Sequence, residues 1–219
     1  MSQTMLYLLL NATVETIYMV IAASVIATLV GLPLGVVLYM TRRGNILEQR
    51  MIYQMLAGIV NVTRSIPFVI LMIAVIPFTR LIVGSSIGTN AAIVPLSLCA
   101  MPFLARVVEN ALLEVNHGLI EAGMAMGASA PQIILKIIVP EALPGIINGL
   151  TLTMISLIGY SAMAGAVGGG GLGDLAIRYG YQRFDVSIML ITIVIMVVLV
   201  QAIQFFGDRI AKKFAWQKQ

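Results

Sequence analysis

Only 10% of the 219 residues are charged, while 60% are hydrophobic, so the side chains able to do chemistry are few. Glu15, Arg64, Arg106 and Glu109 lie in or near long apolar stretches. A charge at membrane depth is a functional candidate by default. Arg64 is the deepest by position, but it sits toward the cytoplasmic half of its stretch. There it is expected to snorkel or to pair with Glu109 as a structural contact. Cys99, the single cysteine, lies in an apolar run without a partner, which leaves no disulfide and no metal cluster. His117, the one histidine, reads as a loop residue, since alone it builds neither a metal site nor a triad. With no paired carboxylates, no Ser/His/Asp set and no Glu-x-x-His, the chain does not read as a membrane enzyme. It contains no G-x-x-x-x-G-K-[ST] pattern, so it does not hydrolyse ATP by that route, and no cofactor is expected in it.

Two small-residue stretches remain. Gly168, Gly169, Gly170, Gly171 and Gly173 satisfy G-x-G-x-x-G. They follow an apolar span rather than a strand and face outward, so a dinucleotide site is rejected. The expectation is irregular backbone at membrane depth, lining a cavity or gate. Just before them come Tyr160, Ser161, Met163 and Gly165. Here a hydroxyl pair and a soft apolar side chain stand among small residues. The mix would suit a path for a zwitterion with an apolar tail, and these four are the expected pathway or gate residues. Ordinary close packing of small residues is the alternative.

The elements that must hold these residues are membrane spans. Mean hydropathy is +1.02, and a soluble domain carries about 25% charged residues. Five spans are expected, at about residues 14–40, 55–78, 91–113, 146–167 and 186–206. Each exceeds the roughly 20 residues that a hydrocarbon core of about 30 Å demands. Residues 1–12 read as a short apolar lead at the interface. The chain start lacks a basic region and a cleavage site, so the first span is expected to be retained. A glycine-rich loop is expected over Gly168–Asp185, and a basic tail over Asp208–Gln219. The net charge of +4 sits at span ends and signals no nucleic acid.

Five spans put the termini on opposite sides. One side holds Arg42, Arg43, Arg50, Arg106, Lys136, Arg209, Lys212, Lys213 and Lys218; the other holds Arg80, Arg178 and Arg183. The larger set marks the cytoplasm, which places the N-terminus outside and the C-terminus inside. The chain is therefore read as a single all-α membrane domain over 1–219. It has no convincing internal repeat, so a homodimer would supply the symmetry of a two-sided path. Its outer loops are too short to hold a soluble domain, so scarce substrate would need a separate capture protein.

The stretch 119–144 interrupts this pattern on the cytoplasmic side. A first short helix is expected over about Leu119–Met126. Leu119, Ile120, Gly123, Met124 and Met126 share one side, and Glu121, Ala122 and Ala125 the other. Gly127 supplies its stop. Ser129 and Gln132 form a capping box with Pro131 in the first turn, starting a second helix. Ile133, Ile134, Ile137 and Ile138 make its apolar stripe, and Pro140 and Pro144 are expected to end it. Two capped helices with one small face describe a docking element.

This segment resembles the signature of the inner-membrane permease subunits of ABC importers. Glu121-Ala122-Gly123, Gly127, Ile137 and Val139-Pro140 keep the signature's spacing throughout. Gly123 stands for its second Ala and Val139 for its Leu. Arg64–Phe68, Pro102–Asn110, Gly159–Met163 and Gly170–Gly173 extend the likeness to the methionine uptake transporter family. The resemblance implies the type I importer permease fold and a homodimer in the bacterial inner membrane. It also implies two cytoplasmic ATPase subunits holding ATP and Mg, and an outer lipoprotein delivering methionine, D or L. Glu121, Ala122, Gly123, Gly127, Ile137 and Pro140 are then the ATPase-docking residues. A permease for another small solute, an ion-coupled transporter or channel subunit, and a structural scaffold stay open on the residues alone.

Overall fold

A computed structural model of the chain describes residues 3–216. Lys218, counted above on the cytoplasmic side, lies outside the described residues. All regular structure among these is helical. Helix α1 (Gln3–Thr41) is one unbroken helix of 39 residues. The expected interfacial lead is thus part of span one from Gln3 onward, since neither Gly nor Pro separates the two.

Span two departs most from expectation. It is not one helix over residues 55–78 but three pieces: α2 (Arg50–Ser65), α3 (Phe68–Ala74) and α4 (Ile76–Val83). Helices α2 and α3 meet at a bend of 103°. Pro67 causes the break. It forces Ile66 into extended backbone, at φ −81° and ψ 124°, and it has no N–H to continue the ladder. Pro77 sits in the first turn of α4, where proline is tolerated.

Helix α5 (Thr89–Leu113) is the centre of the fold, with Leu96, Leu104, Val108 and Leu112 at most 2% exposed. Helix α1 lies against it with backbones nearly touching. A Cβ at Gly31 would come 2.8 Å from the Met101 carbonyl oxygen, and one at Gly35 2.6 Å from that of Ala105. Such close approach supplies the packing contacts that hold helices together in lipid.

The cytoplasmic connection forms α6 (His117–Ala125) and α7 (Ala130–Ile133). A π turn over Ile134–Ile138 then leads directly into α8 (Val139–Gly165). Pro140 and Pro144 therefore do not end the second docking helix. Pro140 falls in the first turn of α8, and the chain is helical from Ala130 to Gly165. The π turn explains how. Val139 N–H bonds the Ile134 carbonyl, one residue further back than in an α-helix. The wider turn makes room for a ring that would otherwise clash with the preceding carbonyl.

The expected loop over 168–185 is also largely helical: α9 (Gly171–Leu175) and a second π turn over Ala176–Tyr181. Helix α10 (Val186–Trp216) carries span five on through the basic tail as far as Trp216. Four apolar helices are long enough to cross a membrane, and the bent α2–α3 pair counted as one makes a fifth. The outer flank is formed by α1 and α10, which expose large apolar side chains such as Leu10, Leu29, Ile193 and Val197.

Candidate functional site

The cytoplasmic segment is built from local caps. Asn116 starts α6, its Oδ1 accepting the Gly118 N–H at 2.9 Å. The helix ends in a Schellman motif: Ala128 N–H bonds the Gly123 carbonyl at 3.1 Å and Gly127 N–H that of Met124 at 2.9 Å. Gly127 takes φ +77°, a left-handed conformation that favours glycine. Ser129 N–H then donates to Gln132 Oε1 at 2.9 Å, fixing the start of α7.

Inside the segment, Ile133, Ile134 and Ile138 are buried and anchor it to α5 and α8 through the main core. Gly123 faces Ile137 so closely that a Cβ there would lie 2.6 Å from Ile137 Cδ1. The outer side of α6 stays open. Glu121, Ala122 and Ala125 are exposed, with Glu121 in a surface pair with His117 at 3.3 Å. The apolar side expected to turn inward does so only at Ile120 and Gly123; Leu119, Met124 and Met126 remain exposed. Exposed Leu135 adds to them. The capped helices thus present a cytoplasmic surface of small and apolar residues.

The four expected pathway residues divide. Tyr160 stacks on Phe68 of α3, with ring centroids 4.9 Å apart, and Met163 is 48% exposed. Both belong to the open side of α8, together with Asn148, Leu152 and Gly159. Ser161 does not join them. It is buried, and its hydroxyl donates to the Ile158 carbonyl of its own helix. Gly165 is buried against α9, where a Cβ would sit 2.3 Å from Asp174 N. These two hold the helix hairpin together rather than face an opening.

The glycine run forms that hairpin. Gly168, Gly170 and Gly171 all have positive φ, and a Cβ at Gly173 would lie 2.4 Å from the Ala162 carbonyl oxygen. The first N–H groups of α9 are capped across the molecule by α1. Gly171 N–H donates to Glu15 Oε2 at 2.8 Å and Leu172 N–H to Thr16 Oγ1 at 2.9 Å. A carboxylate at a helix start is stabilising. Of the run, Gly169 borders a hollow of about 30 Å³ with Thr79, Pro95 and Ala164, which has room for about one water. The run is a packed turn more than a cavity wall.

The expected Arg64–Glu109 pair does not form. Glu109 is fully buried and pairs with Arg106 at 2.5 Å, three residues earlier on α5. It also accepts the Tyr53 hydroxyl at 3.2 Å and lies 3.6 Å from Arg42. Arg106 reaches on to Asn61 Oδ1 at 2.7 Å. This cluster ties the first cytoplasmic loop and α2 to α5. The i,i+3 spacing of Arg106 and Glu109 was its only local sequence signal. Arg64 instead lies over the Phe103 ring, 5.8 Å from its centroid.

A helical bundle with a broken second span and a capped cytoplasmic helix pair fits the membrane subunit of a transporter. Residues 31–216 match the family of inner membrane components of binding-protein-dependent transport systems, and the chain belongs to that family. Among its relatives, the probable D-methionine transport system permease protein MetI of Vibrio cholerae serotype O1 is 53% identical over 206 residues, covering 94% of this chain and 92% of the relative. The D-methionine transport system permease protein MetI of Escherichia coli (strain K12) is 53% identical over 165 residues, covering 75% and 76%. A chain of the MetNI methionine ABC transporter, solved in inward-facing conformations, superposes with a TM-score of 0.96. It is 51% identical, with 98% of this chain and 99% of that chain covered. An amino acid ABC transporter solved with histidines, at 19% identity and a TM-score of 0.73, shares the fold.

Proposed function

We propose that this chain is the membrane-spanning permease of an ATP-driven methionine importer in the bacterial inner membrane, and that two copies enclose the path. The observation that carries the proposal is the joint match in sequence and fold, over nearly the full length of both chains, to the permease of a methionine transporter. Two cytoplasmic ATPase subunits hold ATP and Mg, and an outer substrate-binding lipoprotein delivers the amino acid.

The docking surface is Glu121 and Ala122 on the open side of α6, held in place by Gly123 against Ile137, by the stop at Gly127 and by the π turn before Pro140. Closure of the ATPase subunits on ATP draws the two docking segments together. Helix α8 moves with them, because no loop intervenes between α7 and α8. The cytoplasmic side closes and the outer side opens to the docked lipoprotein; hydrolysis resets the cycle. Tyr160 and Met163, on the open side of α8, line the path.

The test is uptake of labelled methionine into proteoliposomes holding the permease with its ATPase partner. Uptake that requires both internal ATP and the binding protein supports the proposal. ATP hydrolysis stimulated by the binding protein without methionine uptake would remove the cargo and leave the importer. Uptake indifferent to ATP would overturn it.

A further inference from the structure

Arg64 stands at the break in span two. It belongs to the last turn of α2, two residues before extended Ile66 and the 103° bend. Fourteen residues separate it from Arg50 at the cytoplasmic start of α2, or about 21 Å along the helix. A helix that starts at the cytoplasmic face and stands along the membrane normal would carry Arg64 well inside a hydrocarbon core of about 30 Å.

Among the described residues, no carboxylate lies within ion-pair distance of Arg64. Glu109, the expected partner, is taken by Arg106, Arg42 and Tyr53. Arg106, the neighbouring cation, is committed to Glu109 and Asn61. The C-terminal carbonyls of α2 favour a cation in its last turn, but that diffuse attraction leaves the guanidinium fork open. The side chain is exposed and rests over Phe103. Tyr160 of α8 stacks on Phe68, the first residue of α3 after the break. Arg64 and three aromatic rings therefore stand around the break, and Met163, three residues on from Tyr160 in α8, exposes its thioether. The contrast with the outer flank of α1 and α10 is sharp, since α10 carries no charge between Asp185 and Asp208.

An intramembrane charge persists where it serves a path, and a discontinuous span at membrane depth marks a binding site. We propose that Arg64 is a binding residue of the path, its guanidinium taking the carboxylate of a zwitterionic amino acid while Phe103, Tyr160 and Met163 pass its apolar side chain. This rests on the importer reading above. The guanidinium fork matches a carboxylate in two parallel hydrogen bonds, and its single charge leaves the contact weak enough to release. The aromatic and sulfur lining suits a thioether or hydrocarbon tail.

The test compares wild type, Arg64→Met and Arg64→Lys in proteoliposomes with the ATPase and binding protein. It follows labelled methionine uptake and binding-protein-stimulated ATP hydrolysis side by side. Arg64→Met is expected to lower uptake about tenfold or more, the loss of one charge-assisted contact, with stimulated hydrolysis kept. Arg64→Lys is expected to recover part of the uptake. Arg64→Met transporting at the wild-type rate overturns the assignment. Should Arg64→Met lose hydrolysis as well, Arg64→Lys decides. Hydrolysis restored with uptake still several-fold low supports the forked carboxylate contact; both restored together make Arg64 structural and overturn it. Wild type without ATP-dependent uptake counts against the importer reading instead.

Discussion

The docking segment and the glycine-rich hairpin look alike in the sequence and use their small residues in opposite ways. Each interrupts the apolar pattern, and each joins short helices through glycine. In the hairpin, every close approach is filled by the chain itself: Gly165 by Asp174, Gly173 by Ala162, Gly171 by Thr16. In the docking segment, Ala122, Ala125 and Gly127 stay open, and nothing lies within 4 Å of where a Gly127 Cβ would be. A small residue crowded by its own backbone is there for the fold. A small residue left bare on a capped helix has no such reason within the chain, which is what the proposed docking would supply.

Substitutions can break that comparison. The largest effect is expected from Gly165→Val, which forces a side chain into backbone 2.3 Å away. Overpacking at such a contact costs about 3 kcal/mol. It should appear as a clear loss of thermal stability and of dimer in size-exclusion chromatography. A wild-type melting temperature would show that the hairpin is looser than its contacts imply. Glu15→Ala comes next. It removes the carboxylate that accepts the Gly171 N–H, a charged hydrogen bond worth about 1.5–3 kcal/mol. Hydrogen exchange at the start of α9 should rise, with the docking segment unchanged.

Gly127→Ala meets no atoms but must adopt φ +77°, at a cost of about 1 kcal/mol. Global stability should fall slightly, while binding of the ATPase subunit should fall more. Equal losses would mean that the segment is coupled to the core more tightly than its open face suggests. Ala122→Leu is the smallest in stability, within about 0.5 kcal/mol for an exposed position, yet it should abolish co-purification of the ATPase subunit. Retained co-purification would move the contact off this side of α6.

The spans were legible because hydrocarbon imposes length and apolarity on every helix that crosses it. The docking caps were legible because each is local: Gly127 and the Ser129–Gln132 pair lie within a few residues of what they satisfy. Proline was harder. Pro67 and Pro140 were both visible, but the one inside the expected second span breaks it, and the one read as a stop is passed by a π turn. Which outcome follows depends on whether neighbouring turns can widen, and no residue type encodes that. The partners of Glu109 and Glu15 were out of reach for another reason. Tyr53 lies 56 positions from Glu109, and Gly171 lies 156 from Glu15. Periodicity carries no information across such distances. The missed pairing mattered most at Arg64, whose lack of a carboxylate emerges only once Arg106 has claimed the buried one.

The run of helix from Ala130 to Gly165 gives the chain the mechanics of a crank. From Gln132 to Met163 it is about 46 Å long at 1.5 Å per residue. A stiff rod of that length turns a displacement of one end into a displacement of the other about whatever fulcrum its neighbours provide. Here the fulcrum is the contact of Gly145 and Gly149 with Ala111 and Val107 of α5. The π turn at Ile134–Ile138 interrupts its regular hydrogen bonding near the cytoplasmic end. Stiffening that turn would alter how much of a pull at the cytoplasmic end arrives at Met163, without touching either end.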